Sequence, residues 1–203
     1  MRRLLLTVAL AGCASPAASP DLPWLHGFNA VATTTTPSLV VAQRLAAITN
    51  TADDGGYGGV ELTADLTGDG TRETVLASYQ QGIVVLSADG HVISSAPAWD
   101  ATGSRDDLLV LAVGDARASA PMIAVAVEQG GHRESATSLF LYGLRGRQLV
   151  LLFSGEVERH EGSTTTTGAV MLEPGALLYR APQAEVARRW TFGIANSRYV
   201  EVR

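Results

Sequence analysis

The spacing of apolar residues changes once along the chain, and the change separates a predicted helix from a long run of predicted strands. Over residues 39–49 the apolar side chains recur at close to helical spacing, and Ser38 precedes them as a candidate N-cap. From Val60 onward the period is two, since apolar and polar residues alternate as in a strand with one solvent-exposed face. The pattern therefore predicts one short helix followed by antiparallel β-strands.

The predicted strands fall into three units of similar outline. Four strands separated by short turns recur about every 45 to 50 residues, which is the sequence signature of a propeller blade. Turn signals within the first unit include Gln81-Gly82 and Asp89-Gly90. Strands are predicted at 60–66, 74–79, 83–87 and 91–95, then at 108–113, 122–128, 138–142 and 148–153, and finally at 165–172, 176–180, 186–194 and 198–202.

Three units are too few to close a propeller, which needs at least about four blades. The predicted fold class is therefore mainly all-β, with antiparallel four-stranded meanders and one short N-terminal helix. These meanders are expected to form either a propeller-blade-like arrangement or a β-sandwich. Closure of a propeller by oligomerisation is a further alternative.

A polar loop with regularly spaced oxygen atoms lies between the first two predicted strands. Gly68 and Gly70 allow a tight backbone path that would turn neighbouring oxygens inward. Ca²⁺ takes roughly six to eight oxygen ligands. The candidate ligands are the carboxylates of Asp65, Asp69 and Glu73, the Thr67 hydroxyl and the Thr71 backbone carbonyl. The loop is therefore a candidate calcium site, and the alternative is a plain turn whose Asp and Gly residues satisfy their own backbone.

The run Asp65-Leu-Thr-Gly-Asp-Gly-Thr-Arg-Glu73 resembles the calcium loop of FG-GAP and VCBS-type β-propeller repeats. The resemblance extends from Val60 to Ser95 and implies two strands joined by a loop that holds Ca²⁺. Two positions depart from that family. Thr67 stands where Asp or Asn is usual, and Glu73 stands where Asp is usual. A hydroxyl is a poorer ligand than a carboxylate for a hard cation, so the first departure weakens the expected site.

The first residues carry an export signal. Arg2 and Arg3 precede an apolar stretch over 4–11 that is too short to span a membrane, and small residues follow it. The run Leu10-Ala11-Gly12-Cys13 resembles the lipobox of bacterial lipoproteins, which implies cleavage before Cys13 and attachment of lipid, palmitate included, to its thiol. The alternative is an ordinary secretory signal that happens to contain a cysteine.

Three segments are predicted from these features: a signal peptide over 1–12, a lipidated Cys13 with a flexible tether over 13–37, and a single β-rich domain over 38–203. The tether is rich in Ala, Ser, Pro and Thr. It is interrupted by Trp24, Leu25 and Phe28, which we expect to dock on the domain. Because Cys13 is the only cysteine, no intramolecular disulfide can form and stability must come from the core.

Charge and residue spacing argue against nucleic-acid binding and give no catalytic motif. The net charge is −5, and no arginine cluster is larger than Arg188-Arg189. The chain has no G-x-S-x-G run, and its histidines form no zinc motif. These histidines are His26, His91, His132 and His160. Residues 158–161 are the densest ionisable patch, interpreted as a solvated strand end. Among the aromatic residues, Trp99 is the candidate for an exposed binding surface, and Trp190 and Phe192 are expected in the core.

The sequence favours a non-enzymatic, lipid-anchored protein of a bacterial cell envelope, which acts as a binding or assembly module for a protein or glycan partner. Ala14 next to the cysteine resembles the outer-membrane sorting pattern of Gram-negative lipoproteins. The alternative is an envelope hydrolase, or an accessory subunit of an envelope enzyme, whose site assembles from distant loops. Convergence of His91, His132 and His160 on one pocket would favour that alternative.

Overall fold

In the part of the chain that the computed structural model describes, there are three β-sheets and one helix. The structure describes residues 24–26, 29–33, 38–51, 58–79, 81–97, 99, 108–114, 121–131, 133–173, 176–193 and 198–202. The elements are β1 Leu25–His26, β2 Asn29–Thr33, α1 Leu39–Thr49, β3 Val60–Ala64, β4 Glu73–Ser78, β5 Gly82–Leu86, β6 Val92–Ala96, β7 Leu108–Gly114, β8 Met122–Gly130, β9 Glu134–Arg145, β10 Gln148–Glu161, β11 Thr164–Thr167, β12 Ala169–Glu173, β13 Ala176–Arg180, β14 Arg188–Gly193 and β15 Arg198–Glu201. The expectation of a mainly β fold with one short helix is confirmed.

Helix α1 begins and ends where the sequence predicts. The Ser38 hydroxyl accepts a hydrogen bond from the Val40 N–H at 3.2 Å, and Asn50 ends the helix in the left-handed conformation with φ 54°. Leu45 is fully buried on the inner face of the helix. It packs on one face of strands β4 and β5, against Leu76, Val84 and Leu86.

Strands β3 to β6 form the antiparallel four-stranded meander predicted for the first unit. Every residue of β5 is buried, because α1 covers one face of this sheet and a second sheet covers the other. The loop over 65–72 is the connection between β3 and β4, so it lies at one end of this sheet.

The second unit is larger than the predicted meander. Strands β7 to β10 pair in sequence, but β2 adds to one edge and β11 to the other, giving the six-stranded order β11-β10-β9-β8-β7-β2. Strands β9 and β10 are 12 and 14 residues long, and they form a hairpin interrupted by two register shifts. The added edge strands and this long hairpin make the unit differ from the first, so the chain is not a repeat of equal blades.

The prediction of one strand over 165–172 is wrong, because the chain divides at Gly168. Strand β11 pairs with β10 in the six-stranded sheet, whereas β12 pairs with β13 in a five-stranded sheet of order β1-β12-β13-β14-β15. A Cβ atom at Gly168 would lie 2.5 Å from the carbonyl oxygen of Arg180. Glycine therefore permits the close approach at which the chain passes from one sheet to the other.

The tether predicted over 13–37 includes two segments that belong to the sheets. Strand β1 pairs in parallel with β12, and β2 pairs antiparallel with β7. Trp24 docks as expected: it is 4% exposed, and its carbonyl accepts a hydrogen bond from the Val170 N–H at 2.7 Å. Burial of Trp24 and the pairing of β1 and β2 place these residues in the fold despite their tether-like composition. Residues 1–23 and Phe28 lie outside the described residues.

Two apolar layers hold the three sheets together, on opposite faces of the six-stranded sheet. Along β8, Ile123, Val125 and Val127 enter the layer shared with the four-stranded sheet. Ala124 and Ala126, between them, enter the layer shared with Trp24 and the five-stranded sheet. The arrangement is a sandwich with the six-stranded sheet in the middle, as the alternation of side chains along one strand requires.

We expect Trp24→Ala to lower the free energy of unfolding by about 3–5 kcal/mol, the usual cost of truncating a buried tryptophan. Val40→Ala is the matched control, because Val40 is 72% exposed and should have little effect. Urea unfolding followed by circular dichroism measures both. An unchanged midpoint for Trp24→Ala would show that the segment before α1 contributes nothing to the fold.

Candidate functional site

The carboxylate of Asp65 closes the loop between β3 and β4 upon itself. Its Oδ1 accepts a hydrogen bond from the Gly68 N–H at 2.7 Å, and its Oδ2 accepts one from the Gly70 N–H at 2.9 Å. Both glycines have positive φ, 76° and 86°, which turns their N–H groups back toward Asp65. Both oxygens of this predicted calcium ligand are therefore engaged with the loop backbone.

Glu73 is a second predicted carboxylate ligand that is bonded to the backbone, and it is buried beneath the loop. Its side chain is 3% exposed, and its Oε2 accepts a hydrogen bond from the Leu66 N–H at 2.7 Å. Glu73 also faces Ala64 in the ladder between β3 and β4. The carboxylate thus ties the start of the loop to its end and satisfies a backbone donor that would otherwise be buried without a partner.

Asp69 differs from the other two carboxylates because it stands exposed at the tip of the loop. Its Oδ1 accepts a hydrogen bond from the Thr71 N–H at 2.7 Å. This bond, together with hydrogen bonds from the Thr67 and Thr71 hydroxyls, holds the pKa of Asp69 below its usual range. Asp69 is therefore ionised at neutral pH and presents its charge to solvent.

The three predicted carboxylate ligands of the loop do not converge on one point. Asp65 and Glu73 point to backbone N–H groups at different places, and Asp69 stays at the tip. Within the described stretches of the chain, no three His, Cys, Asp or Glu side chains are placed to hold a metal ion together. The geometry is that of a turn in which Asp and Gly satisfy their own backbone, and binding of Ca²⁺ in solution stays a prediction.

Three strand connections, one of which is the loop, line a groove of about 640 Å³. One wall is the loop itself, the second is the turn between β5 and β6, and the third is the turn between β9 and β10. The groove is lined by Thr67, Asp69, Thr71, Glu73, Ser87, Ala88, Asp89, His91, Val92, Ile93, Gly146 and Arg147. Four of the five predicted ligands therefore line one groove, although they do not converge on one point.

The second and third walls add charges that the sequence motif did not indicate. Asp89 Oδ2 lies 3.0 Å from His91 Nδ1, and the Ser87 hydroxyl donates a short hydrogen bond to Asp89. That hydroxyl, and then His91, lower the pKa of Asp89. Arg147 belongs to a two-residue turn. Asp89 and His91 lie two residues apart in a strand connection, where polar residues are expected for the turn itself. Their place in the lining of the groove was therefore not predicted from the sequence.

The ionisable patch at 158–161 lies at the solvent-accessible end of strand β10, and its side chains form ion pairs and hydrogen bonds there. Arg159 binds Glu156 through two contacts of 2.7 Å, which raise the pKa of the guanidinium. His160 contacts Glu158 through Nε2 at 2.6 Å and Thr165 through Nδ1 at 2.8 Å. An ionised Glu158 accepts only, so in the neutral ring Nε2 carries the proton and Nδ1 accepts from the Thr165 hydroxyl.

The histidines described by the structure do not share a pocket. His91 lines the groove beside the 65–73 loop, whereas His160 lines a separate cavity of about 180 Å³ at the end of the β9–β10 hairpin. His26 is exposed on β1. His132 lies outside the described residues. The convergence that would favour a hydrolase is therefore absent for the pair His91 and His160.

Trp99 was predicted as an exposed binding surface, and that prediction is wrong. It is 6% exposed, and its indole N–H donates to the Tyr142 hydroxyl at 3.0 Å. The hydrogen bond gives the indole N–H a partner where the ring is buried. Trp190 is partly buried and packs against the core, with its ring centroid 5.5 Å from that of Phe153. The side chain of Phe192, also predicted in the core, lies outside what the structure describes.

Comparison of the chain with protein-family models, with curated proteins and with solved structures finds no match. No helix in the described part of the chain is long and apolar enough to cross a bilayer. The lipobox at 10–13 lies outside the described residues. The groove and its lining residues are therefore the features of this chain that bear on its function.

We expect Glu73→Ala to lower the free energy of unfolding by about 1–3 kcal/mol, the cost of leaving a buried N–H without an acceptor. Glu73→Gln should lose less, because its amide oxygen can still accept from Leu66. Asp69→Ala is the control, since that side chain is exposed and should leave the urea midpoint nearly unchanged.

Calcium distinguishes the two possible roles of Glu73. If the carboxylate serves as a backbone acceptor, the loss caused by Glu73→Ala is the same in millimolar Ca²⁺ and in chelator. A loss that appears in Ca²⁺ and vanishes in chelator would instead show that Glu73 is a metal ligand.

Proposed function

We propose that this protein is a lipid-anchored binding module of a bacterial cell envelope and that the groove beside the 65–73 loop is its ligand site. The groove carries the proposal, because its volume of about 640 Å³ suits a small ligand or the end of a larger one. Val92 and Ile93 contribute apolar surface to its lining, and most of the other lining residues are polar. A few placed polar groups over an apolar surface are typical of ligand sites.

The walls of the groove are held in place before any ligand arrives. Asp65 and Glu73 fix the loop through backbone N–H groups. The Ser94 hydroxyl accepts a hydrogen bond from the Leu149 N–H at 2.8 Å, which joins the third wall to the edge strand β6. Since little conformational entropy is lost when a rigid site binds, this construction favours recognition.

The lipobox resemblance at 10–13 supports a lipid anchor, with Cys13 as the lipidated residue. Only residues 14–23 separate Cys13 from Trp24, whose side chain is in the core. Ten extended residues reach at most roughly 35 Å. Lipidation at Cys13 would therefore hold the β-sheets close to the membrane surface, and the net charge of −5 makes nucleic acid an unfavourable partner.

A binding function is preferred to hydrolysis because of where the ionisable groups lie. An enzyme built from distant loops was expected to bring its histidines together, but His91 and His160 line different cavities. The groove offers opposite charges and hydroxyls suited to holding a ligand. We therefore propose binding of a component of the cell envelope as the activity of this chain.

Cys13→Ser should move the protein from the membrane fraction to the supernatant, because the thiol is the acceptor of the lipid. Ala14→Ser is the control, since it keeps the thiol and should remain with membranes. Fractionation in high salt followed by immunoblotting measures both. A Cys13→Ser protein that still sediments with membranes would contradict the anchor.

A photo-crosslinking amino acid at Val92 should capture an envelope component, because Val92 is 48% exposed within the groove. Val186 is the matched control, an exposed valine at 72% that does not line the groove. Irradiation of cells, followed by immunoblotting and mass spectrometry of the purified protein, should give a product at position 92 and none at 186. Identical products at both positions, or none at 92, would contradict the groove as the ligand site.

A further inference from the structure

We infer that the groove binds a zwitterionic group, whose anionic end pairs with Arg147 and whose ammonium pairs with Asp69. The inference rests on the proposed function and deepens it, since it names the chemistry that the same groove would recognise. Its basis is that two opposite charges line one groove without being paired to each other.

Arg147 has a guanidinium with no described carboxylate or carbonyl within bonding distance. Three other arginines are engaged: Arg159 binds Glu156, Arg188 binds Glu201, and Arg189 binds Glu173. Arg147 differs from Arg133, which is also unpaired among the described residues, in that it lines the groove. Arg147 is exposed at the two-residue turn between β9 and β10. A guanidinium with free N–H groups matches the planar pair of oxygens of a carboxylate or phosphate.

Asp69 supplies the opposite charge from the loop that forms another wall of the groove. Its carboxylate is ionised and exposed, and one of its oxygens is occupied by the Thr71 N–H. No ion pair of the described residues joins Asp69 to Arg147, so the two opposite charges line the groove separately. Asp89 is less available, because Ser87 and His91 already contact it.

The overall charge of the groove selects between ligand classes. Three carboxylates line it, from Asp69, Glu73 and Asp89, against the single guanidinium of Arg147. A ligand that carries only negative charge is repelled by this excess, and one that carries only positive charge leaves Arg147 without a partner. A zwitterion satisfies both ends, and its methylene groups can lie on Val92 and Ile93.

The shared chemistry, an ammonium joined by a short apolar link to a phosphate or carboxylate, occurs in lipid headgroups and in free amino acids. Titration of the isotope-labelled Cys13→Ser protein, followed through the amide signals of Gly70 and Gly146, measures binding of phosphoethanolamine and of β-alanine. Ethanolamine and glycerol phosphate are the singly functional controls. Sedimentation with phosphatidylethanolamine vesicles, compared with phosphatidylglycerol vesicles, tests the lipid source.

We expect at least one zwitterion to bind about fivefold more tightly than either control, as an exposed ion pair allows. Arg147→Gln and Asp69→Asn should each weaken that binding by about the same factor. Arg133→Gln, an exposed arginine outside the groove, should not. Preferential sedimentation with phosphatidylethanolamine would assign the headgroup source, and binding in solution without it would assign the free compound.

Equal binding of the singly charged compounds, or binding unaffected by Arg147→Gln and Asp69→Asn, would overturn the inference. So would the failure of every zwitterion to shift the two glycine signals. If Val92 still crosslinks an envelope component in that case, the groove binds a ligand of another class and the proposed function stands. If Val92 gives no product either, both proposals fail.

Discussion

The fold depends on the burial of both faces of strand β8, the apolar run at the centre of the six-stranded sheet. Ile123, Val125 and Val127 lie on one face, and Ala124 and Ala126 lie on the other. A sheet that is apolar on both faces must be covered on both. The four-stranded and five-stranded sheets provide these covers, and the small alanines allow close approach on the side that receives Trp24. Trp24 is thus part of the core, although the composition of the neighbouring sequence is typical of a tether.

The position of the groove follows from this layering. The four-stranded sheet packs against the central sheet through its apolar face, so its polar connections collect at the end where β3 meets β4 and β5 meets β6. The turn between β9 and β10 reaches the same end, because the Ser94–Leu149 hydrogen bond joins the two sheets there. Charges from three separate hairpins therefore meet at one place, held by packing that lies beneath them.

Sequence patterns predicted what local chemistry determines and missed what depends on distant partners. Helix α1 and the first meander were predicted because capping, turn residues and period-two alternation act within a few residues. The parallel pairing of β1 with β12 joins Leu25 to Val170, so no local pattern specifies it. The break at Gly168 depends on contact with Arg180. Likewise, the convergence of Arg147 with Asp69 on one groove requires the packing of two sheets.

The loop illustrates the same limit at the scale of one motif. The carboxylates of the loop lie close together in the sequence, but their spacing does not determine which group each carboxylate contacts. Glu73 occupies a position where the resembled family has Asp, and its longer side chain reaches the Leu66 N–H beneath the loop. Thr67, where that family has Asp or Asn, supplies a hydroxyl to Asp69 in place of a further negative charge. Thr67 carries no charge, so this departure reduces the repulsion among the carboxylates of the loop, and the loop can close on its own backbone.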